Sequence, residues 1–266
     1  MIVLVIVLHI VGTILLSTRK TYQPRSNILK QFTLVDTTEV VKTPVTFAKI
    51  DERNSRIKTF ACESVDVRFK ENGAKYRVRG VMYYEKEKNF RFIVKSILGK
   101  ETDIGSNKDI FWYWSRRMDN GTLFYASHEN YYKTRLKPQF NPIWMMDSLG
   151  ISKLDFRDAK IVENANKYII VRNTKNTIGQ PIVKFTYIDK KTETIDGSIV
   201  MDKDGKPIAA AEVLLYKNYL PVQILYTWFE VDRSMLIDLN NPQANIRIDG
   251  TNWVIPDIQP KMDIGK

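Results

Sequence analysis

The chain has 266 residues, of which 44% are apolar, 11% aromatic and 27% charged. This composition is sufficient for a hydrophobic core, so it excludes a chain that is disordered or collagen-like throughout. The 41 basic and 30 acidic residues leave a net charge of +11. Such a charge suits an anionic lipid surface, a nucleic acid or an acidic protein, and it does not by itself choose among them.

The chain opens with an apolar run at residues 1–16, which has thirteen aliphatic or Met residues and no fixed charge. The run is longer than a minimal signal-peptide core and shorter than most membrane-spanning helices. No basic residue precedes it, and no cleavage site of small residues follows it. We predict a transmembrane anchor or a signal segment here, with a buried core helix as the alternative.

Residues 17–42 are predicted to form a basic spacer, because Pro, Ser and Thr are frequent there and the apolar periodicity is lost. Arg19, Lys20, Arg25 and Lys30 occur without an acidic residue among them. We expect these cations to lie against an anionic bilayer surface, the alternative being a solvated linker. Their position after the apolar run favours a cytoplasmic domain by the positive-inside rule.

A single domain is predicted over residues 43–266, and it begins with a helix. Thr43 suits the cap and Pro44 the first turn, while Phe47, Ile50, Ile57 and Phe60 recur along one stripe. The polar run at residues 51–54 is expected to face away from the core.

From residue 64 the apolar period changes to two, which predicts strands. Turn signals such as Asn72-Gly73 and Asn120-Gly121 separate them. A cap residue, a first-turn proline and a final glycine predict one short helix at residues 141–150. The predicted strands lie at residues 64–71, 76–85, 90–96, 109–115, 122–127, 159–163, 168–172, 182–189, 198–201, 211–216, 224–230, 235–239 and 245–248.

No βαβ alternation occurs, which favours an antiparallel sheet over a parallel one. An antiparallel sheet of this length must curl, close or split. The predicted fold class is therefore mainly β (α+β), with a single curled antiparallel half-barrel of about eleven strands covered by a few helices. An N-terminal membrane helix or signal precedes it.

The inventory of reactive residues argues against an enzyme. Cys62 is the only cysteine, which excludes a disulfide within the chain and a multi-cysteine metal site. His9 lies in the apolar run, so His128 is the one histidine left for acid–base chemistry. No nucleophile elbow, dinucleotide fingerprint or phosphate-binding loop occurs. We predict no catalytic residue, no metal and no cofactor.

Four segments form a recognisable series: the glycine-containing strand at residues 76–84, Phe90-Arg91-Phe92, the segment at residues 103–107, and Phe111-Trp112-Tyr113-Trp114. Together they resemble the LolA/LolB-like lipoprotein-carrier superfamily, and the resemblance covers residues 43–260. The helix at Asn141-Pro142-Ile143-Trp144 and the later series from Trp228 to Pro256 are similar to further landmarks. This chain departs from the family in having no lipobox, and no proline in the turn at residues 85–89.

The resemblance implies a half-open barrel whose apolar concave face is covered by helices and binds acyl chains. Trp112 and Trp114 share one face of their strand, and the Trp-Met-Met sequence suits a lid that adapts to its ligand. A plain hydrophobic core remains the alternative for each of these positions. The predicted cavity and lid residues are Phe90, Phe92, Trp112, Trp114, Trp144, Met145, Met146 and Trp228.

The resulting functional hypothesis is a non-catalytic, acyl-chain-binding domain of the bacterial cell envelope. Its expected partners are a lipid or an acylated protein, the membrane through residues 1–16, and an envelope protein, with no nucleic acid. The resemblance favours a periplasmic location, against the orientation that the basic spacer indicates. The alternative is an envelope sensor or scaffold of the same fold that docks a partner protein without carrying lipid.

Overall fold

A computed structural model describes residues 38–40, 42–71, 73–86, 88–116, 119–130, 133–134, 142–156, 158–175 and 180–266. The predicted anchor at residues 1–16 and the spacer up to residue 37 lie outside the described residues. Neither of the two helices described below has the length and apolar character needed to cross a bilayer.

Sixteen strands form one sheet in the described part of the chain. In chain order they are β1 Thr38–Glu39, β2 Thr59–Glu71, β3 Ala74–Glu85, β4 Asn89–Ser96, β5 Gly99–Ser106, β6 Ile110–Ser115, β7 Leu123–Ser127, β8 Lys160–Glu163, β9 Lys167–Lys175, β10 Pro181–Asp189, β11 Thr194–Asp202, β12 Pro207–Lys217, β13 Leu220–Trp228, β14 Arg233–Leu239, β15 Gln243–Ala244 and β16 Lys261–Asp263.

The sheet is open, with β1 at one edge and β16 at the other. Two meanders, β2–β7 and β8–β14, join where β14 pairs with β2, and β15 extends the pairing of β2. All pairs are antiparallel except that of β16 with β7. The predicted mainly β fold with one curled open sheet is confirmed.

The strand count exceeds the predicted one for identifiable reasons. β1, β15 and β16 have two or three residues each, too few to leave an alternating pattern. β5 has the sequence GKETDIGS, whose polar residues leave no apolar alternation by which a strand could be predicted. Its Glu101, Thr102 and Asp103 are nevertheless buried. The predicted strand at residues 245–248 is not a strand, since β15 ends at Ala244.

The first helix, α1, spans Val45–Ser55, with Pro44 just before it. Phe47 and Ile50 are fully buried against the sheet, as predicted. The helix ends earlier than its apolar stripe, because Phe60 already belongs to β2. Asn54 does not face away from the core: it is buried, and its side-chain amide donates to the carbonyl of Ser152 at 2.8 Å.

The second helix, α2, spans Pro142–Asp147, inside the predicted range. Gly150 follows in the left-handed region with φ = +71°, where a side chain is strained. A Cβ at this position would also lie 2.1 Å from the Tyr216 hydroxyl. Both the backbone conformation and the close approach of Tyr216 therefore require glycine there.

The two faces of the sheet differ in what covers them. Both helices pack on one face, which we call the helix side; α1 covers β8–β11 and α2 covers the centre of the sheet. The other face is the opposite side. On its β4–β6 part runs the C-terminal segment, whose 3-10 turn Gly250–Trp253 contacts β4.

Candidate functional site

Six of the eight predicted cavity residues share one buried apolar layer on the helix side. Phe90 and Phe92 lie on β4 and Trp228 on β13, and α2 contributes the other three, Trp144, Met145 and Met146. All six are at most 8% exposed. The structure therefore brings together residues that are 138 positions apart in the chain (90 to 228), because β14 pairs with β2 and closes the two meanders into one sheet.

An aromatic stack holds α2 against the sheet. The Trp144 ring meets the Tyr226 ring edge-on at a centroid distance of 5.6 Å, and Tyr226 stacks on Trp228 at 6.2 Å. The Tyr226 hydroxyl donates to the carbonyl of Met145 over a long 3.4 Å. Burial raises the pKa of this phenol far above its ordinary value, so it remains a neutral donor.

One polar atom of α2 lacks a partner. The indole N–H of Trp144 is buried without a hydrogen-bond acceptor among the described residues, although its ring is well packed. Leaving such a donor unsatisfied costs about 1–3 kcal/mol. Trp144 therefore packs here at an energetic cost that a ligand with an acceptor oxygen could relieve.

A small cavity lies beside α2, between the loop that follows the helix and strands β9–β11. Its volume is about 160 Å³, whereas pockets that enclose small molecules measure roughly 300–1,000 Å³. Its walls carry two ion pairs, Lys184–Asp147 at 3.3 Å and Arg172–Asp155 at 2.5 Å. With a volume of about 160 Å³ and charged walls, this cavity does not suit an acyl chain.

The other two predicted residues, Trp112 and Trp114, lie on the opposite side of the sheet. Their strand β6 pairs with β5 so that Trp112 faces Gly105 and Trp114 faces Asp103. Phe92, by contrast, pairs with Ile104, whose side chain points to the helix side. The sequence predicts correctly that the two tryptophans share a face, but the structure does not bring them to the layer of Phe90 and Phe92.

Trp112 is part of a buried polar network. Its indole N–H donates to the Asp103 carboxylate at 3.2 Å. Arg91 binds the same carboxylate through two N–H groups, at 3.1 and 2.8 Å, and Lys100 approaches it to 2.8 Å. Arg91 also donates to the carbonyl of Asn252 at 3.1 Å, which ties the C-terminal segment to the sheet.

Asp103 is the centre of this network, with its side chain fully buried. Burial by itself raises the pKa of a carboxyl group, but the hydrogen bonds and charges of Arg91 and Lys100 outweigh it and hold the pKa of Asp103 below its ordinary value. The Asp103 network was missed in the sequence, although an acidic residue in the segment before the tryptophan strand was a visible signal.

The contacts of His128 and Cys62 give both residues a role in the fold. His128 Nε2 lies 2.7 Å from the carbonyl of Asn107, so it serves as the donor of that bond and cannot act as a base towards Ser106, 3.3 Å away. Burial lowers the pKa of His128. Cys62 is buried in the helix-side core, and burial raises its pKa. Among the described residues no cluster of three or more His, Cys, Asp or Glu could hold a metal ion.

An exposed apolar tip was also missed in the sequence. Ile97 and Leu98 form the turn of the β4–β5 hairpin and are 85% and 59% exposed. Lys95 precedes the tip, and Arg116 donates to the carbonyl of Leu98 at 2.7 Å. Ile97 and Leu98 thus form a small exposed apolar patch with cations beside it.

The open sheet and its helix-side layer define a class of half-barrels in which short helices rest on one curled sheet. A DUF1329 family protein from Desulfovibrio piger has a similar structure, with a TM-score of 0.53 at 10% identity over 79% of this chain and 95% of that one. A LolA superfamily protein from Nitrosomonas europaea gives a TM-score of 0.52 at 11% identity, over 81% and 99% of the two chains.

No family profile matches the sequence, and neither does any curated protein. The fold is LolA/LolB-like, and the resemblance that the sequence motifs indicated is confirmed at the level of the fold.

Proposed function

We propose that the domain binds acyl chains, of a lipid or of an acylated protein, between α2 and the central strands of the helix side. The observation that carries this proposal is the layer of Trp144, Met145 and Met146 on a helix of only six residues. The LolA/LolB-like fold supports it. The site has no need of a catalytic residue or a cofactor.

The contacts of α2 suit a lid. Its polar links to the sheet are long or exposed: the Tyr226 bond of 3.4 Å and the ion pair of Asp147 with Lys184, in which Asp147 is half exposed. The contacts that hold α2 on the sheet are therefore mainly apolar, and Met side chains repack readily around other shapes. An acyl chain that entered would replace these contacts with similar ones and would leave the Trp144 N–H next to its carbonyl oxygen.

Burial of the chain would supply the driving force. Each methylene group removed from water contributes about 0.8 kcal/mol, so a dozen give roughly 10 kcal/mol. This is enough to offset the displacement of a short helix. Because Trp144, Met145 and Met146 are buried against the central strands, we expect α2 to move when a chain binds and to return when it is released.

The lid can be tested by truncating it. We expect the double variant Trp144→Ala, Met146→Ala to bind a fluorescent fatty acid at least about tenfold more weakly, the equivalent of about 1.4 kcal/mol. Ile50→Ala is the matched control, since Ile50 is fully buried beneath α1, outside the layer that α2 covers. It should lower the thermal stability and leave binding intact.

Two results would contradict the proposal. One is that native mass spectrometry and lipid extraction of the purified protein find no bound amphiphile while fluorescent fatty acids also fail to bind. The other is that the lid variant and the Ile50→Ala control lose binding in proportion to their lost stability.

We also propose that the β4–β5 tip contacts the membrane from which the ligand comes. Burying a large apolar side chain contributes about 1.5–3 kcal/mol, so Ile97→Asp with Leu98→Asp should weaken binding to anionic vesicles by at least about tenfold. Leu214 and Leu215, exposed apolar residues on β12, provide the matched control pair. If the two double variants lost vesicle binding equally in a sedimentation assay, this tip would have no special role in membrane contact.

A scaffold that docks a protein without carrying lipid is the second candidate. It is favoured by the packing of α2, whose Trp144, Met145 and Met146 are buried against the sheet as a plain core would be. This function predicts a partner whose capture is unaffected by delipidation and by the lid variant. Capture of a partner that depends on lipid would instead support the carrier function.

A further inference from the structure

Three cross-strand pairs on the strands β2–β5 join residues of like charge. Arg68 on β2 is directly opposite Arg77 on β3. Further along β3, Arg79 is opposite Lys95 on β4, and Lys95 is in turn opposite Lys100 on β5. These five cations therefore form a row across four adjacent strands, which we call the cationic ladder.

The cationic ladder lies on the opposite side of the sheet. Val67, Val78 and Val94 are the chain neighbours of ladder residues, and they belong to the helix-side layer. Because successive side chains of a strand point to opposite faces, the ladder residues beside them point away from both helices. Lys100 binds the carboxylate of Asp103, which lies on the same side. The ladder therefore has one face of the sheet in common.

The carboxylates that hold the ladder lie beneath it. Asp66 pairs with Arg77 at 3.1 Å and with Arg79 at 3.8 Å. Its side chain is 20% exposed, whereas those of the two arginines are 66% and 84% exposed. The mostly buried carboxylates of Asp238 and Asp103 bind the two ends of the ladder in the same way. The negative charges are thus largely covered, while the cations face the solvent.

The ladder opposes the stability of the sheet. Like charges in directly opposite positions on neighbouring strands destabilise a sheet, and the ladder has three such pairs in succession. Lys70 and Lys75, opposite each other nearer the β2–β3 turn, add a fourth pair beside them. An anionic partner laid over these cations would turn their mutual repulsion into a shared attraction. The arrangement is therefore explained by binding and not by folding.

We propose that the cationic ladder docks the domain on the anionic headgroups of a phospholipid bilayer. The exposed apolar tip, Ile97 and Leu98, lies between Lys95 and Lys100 in the chain, so the ladder and the tip form one surface. A bilayer offers anionic headgroups and hydrocarbon at adjacent depths. A row of cations beside an apolar projection matches both.

A single-stranded nucleic acid fits the ladder less well than a bilayer does. Proteins that bind such strands combine cations with aromatic rings on which the bases stack. Tyr76, the aromatic neighbour of Arg77, is two residues before Val78 and so points with it to the helix side. It cannot serve as a stacking platform on the face of the ladder, and charge complementarity with a bilayer is the stronger match.

The inference goes beyond the membrane contact proposed for the tip, because it names the lipid chemistry and a different set of residues. It is independent of acyl-chain binding, which concerns the helix side. Attraction of basic residues to an anionic bilayer decays within about 10 Å at 0.1 M salt. Docking through the ladder should therefore require anionic lipid and should weaken as the salt concentration rises.

The ladder can be tested in the full chain with the double variant Arg79→Gln, Lys95→Gln. Sedimentation measures its affinity for vesicles of phosphatidylcholine and for vesicles of phosphatidylcholine and phosphatidylglycerol in equal parts. The ratio of the two affinities isolates the ladder from the tip, because apolar contacts act on both kinds of vesicle. We expect the variant to lower this ratio by about tenfold or more at low salt.

The matched control is the double variant Arg56→Gln, Lys58→Gln. It removes the same net charge from two exposed cations that follow α1. Lys58 is bonded through its carbonyl to the backbone N–H of Lys86, beyond the end of β3 that is remote from the ladder. The control should therefore keep the affinity ratio of the parent, although its overall charge equals that of the ladder variant.

Thermal unfolding, monitored by circular dichroism, guards against a loss of folding. Because the ladder variant removes like-charged neighbours, it should melt at the temperature of the parent or above. The affinity ratio does not depend on fatty-acid binding, so the failure of this proposal can be told from the failure of acyl-chain binding.

Three results would overturn the proposal. The first is an unchanged affinity ratio in the ladder variant, which together with a lost affinity for a single-stranded oligonucleotide would assign the ladder to nucleic acid. The second is an equal fall of the ratio in the control, which would show that only the net charge matters. The third is a ladder variant less stable than the parent, which would show that these cations serve the fold.

Discussion

Replacing Asp103 with alanine is expected to lower the free energy of unfolding by about 3–5 kcal/mol, because removing one partner of a buried ion pair leaves an uncompensated charge. That charge belongs to Arg91, whose side chain is only 10% exposed. The change also deprives the Trp112 indole of its acceptor. Urea denaturation, monitored by circular dichroism, measures the loss.

The control for Asp103→Ala is Asp204→Ala. Asp204 also pairs with a lysine, Lys203 at 3.3 Å, but both side chains are mostly exposed. Exposed pairs contribute little, so the control should unfold almost as the parent does. A loss for Asp103→Ala as small as that of the control would show that the network does not stabilise the fold.

The pH dependence of stability follows from the same carboxylate. The folded pKa of Asp103 is lowered, so its contribution is fully present above the ordinary pKa of about 4 and is lost as the pH falls through the folded value. The stability of the parent should therefore drop below about pH 4 more steeply than that of Asp103→Asn. Identical acid profiles for the two proteins would contradict this assignment.

Replacing Gly105 with alanine is the second change with a large expected effect. The added Cβ would lie 2.0 Å from the Trp112 ring, so the indole must leave its place over the strand. Overpacking of this kind costs about 1–3 kcal/mol, and the displaced indole would also lose its bond to Asp103. Thermal unfolding should show the loss, together with a change in the tryptophan fluorescence.

The steric cause can be isolated with two further variants. Gly250→Ala adds the same methyl group where nothing lies within 4 Å, so it should leave stability nearly unchanged. In the double variant Gly105→Ala, Trp112→Leu the clash is removed, and the cost should be smaller than the sum of the two single costs. Additive losses would mean that the alanine acts through the backbone instead of through Trp112.

The strand pattern could be predicted from the sequence because turns such as Asn120-Gly121 and the period of two are local signals. The short helix α2 was predictable for the same reason, from its proline and the glycine after it. β5 was not, since its burial of Glu101 and Asp103 depends on partners in neighbouring strands. Local polarity therefore indicated a loop where tertiary pairing makes a strand.

Which face of the sheet the helices cover could not be predicted from the sequence, for a related reason. Alternation shows that Trp112 and Trp114 share a face, but it does not tell which face the helices cover. That choice depends on the register of β5 with β6 and on the C-terminal segment, which Arg91 binds on the opposite side through the carbonyl of Asn252. The buried apolar cluster on the opposite side of β8–β14 was not predicted either, because these strands carry apolar residues on both faces and the alternation is weak.

The two edges of the sheet have a consequence for association between molecules. Among the described residues, β1 and β16 occupy the edges with only two and three residues, and each covers part of the strand beside it, β8 or β7. Long unpaired edges act as templates on which further strands polymerise. A sheet of sixteen strands with such short edge strands offers few unpaired backbone groups at either edge. It can therefore be large without acting as a template for fibrils.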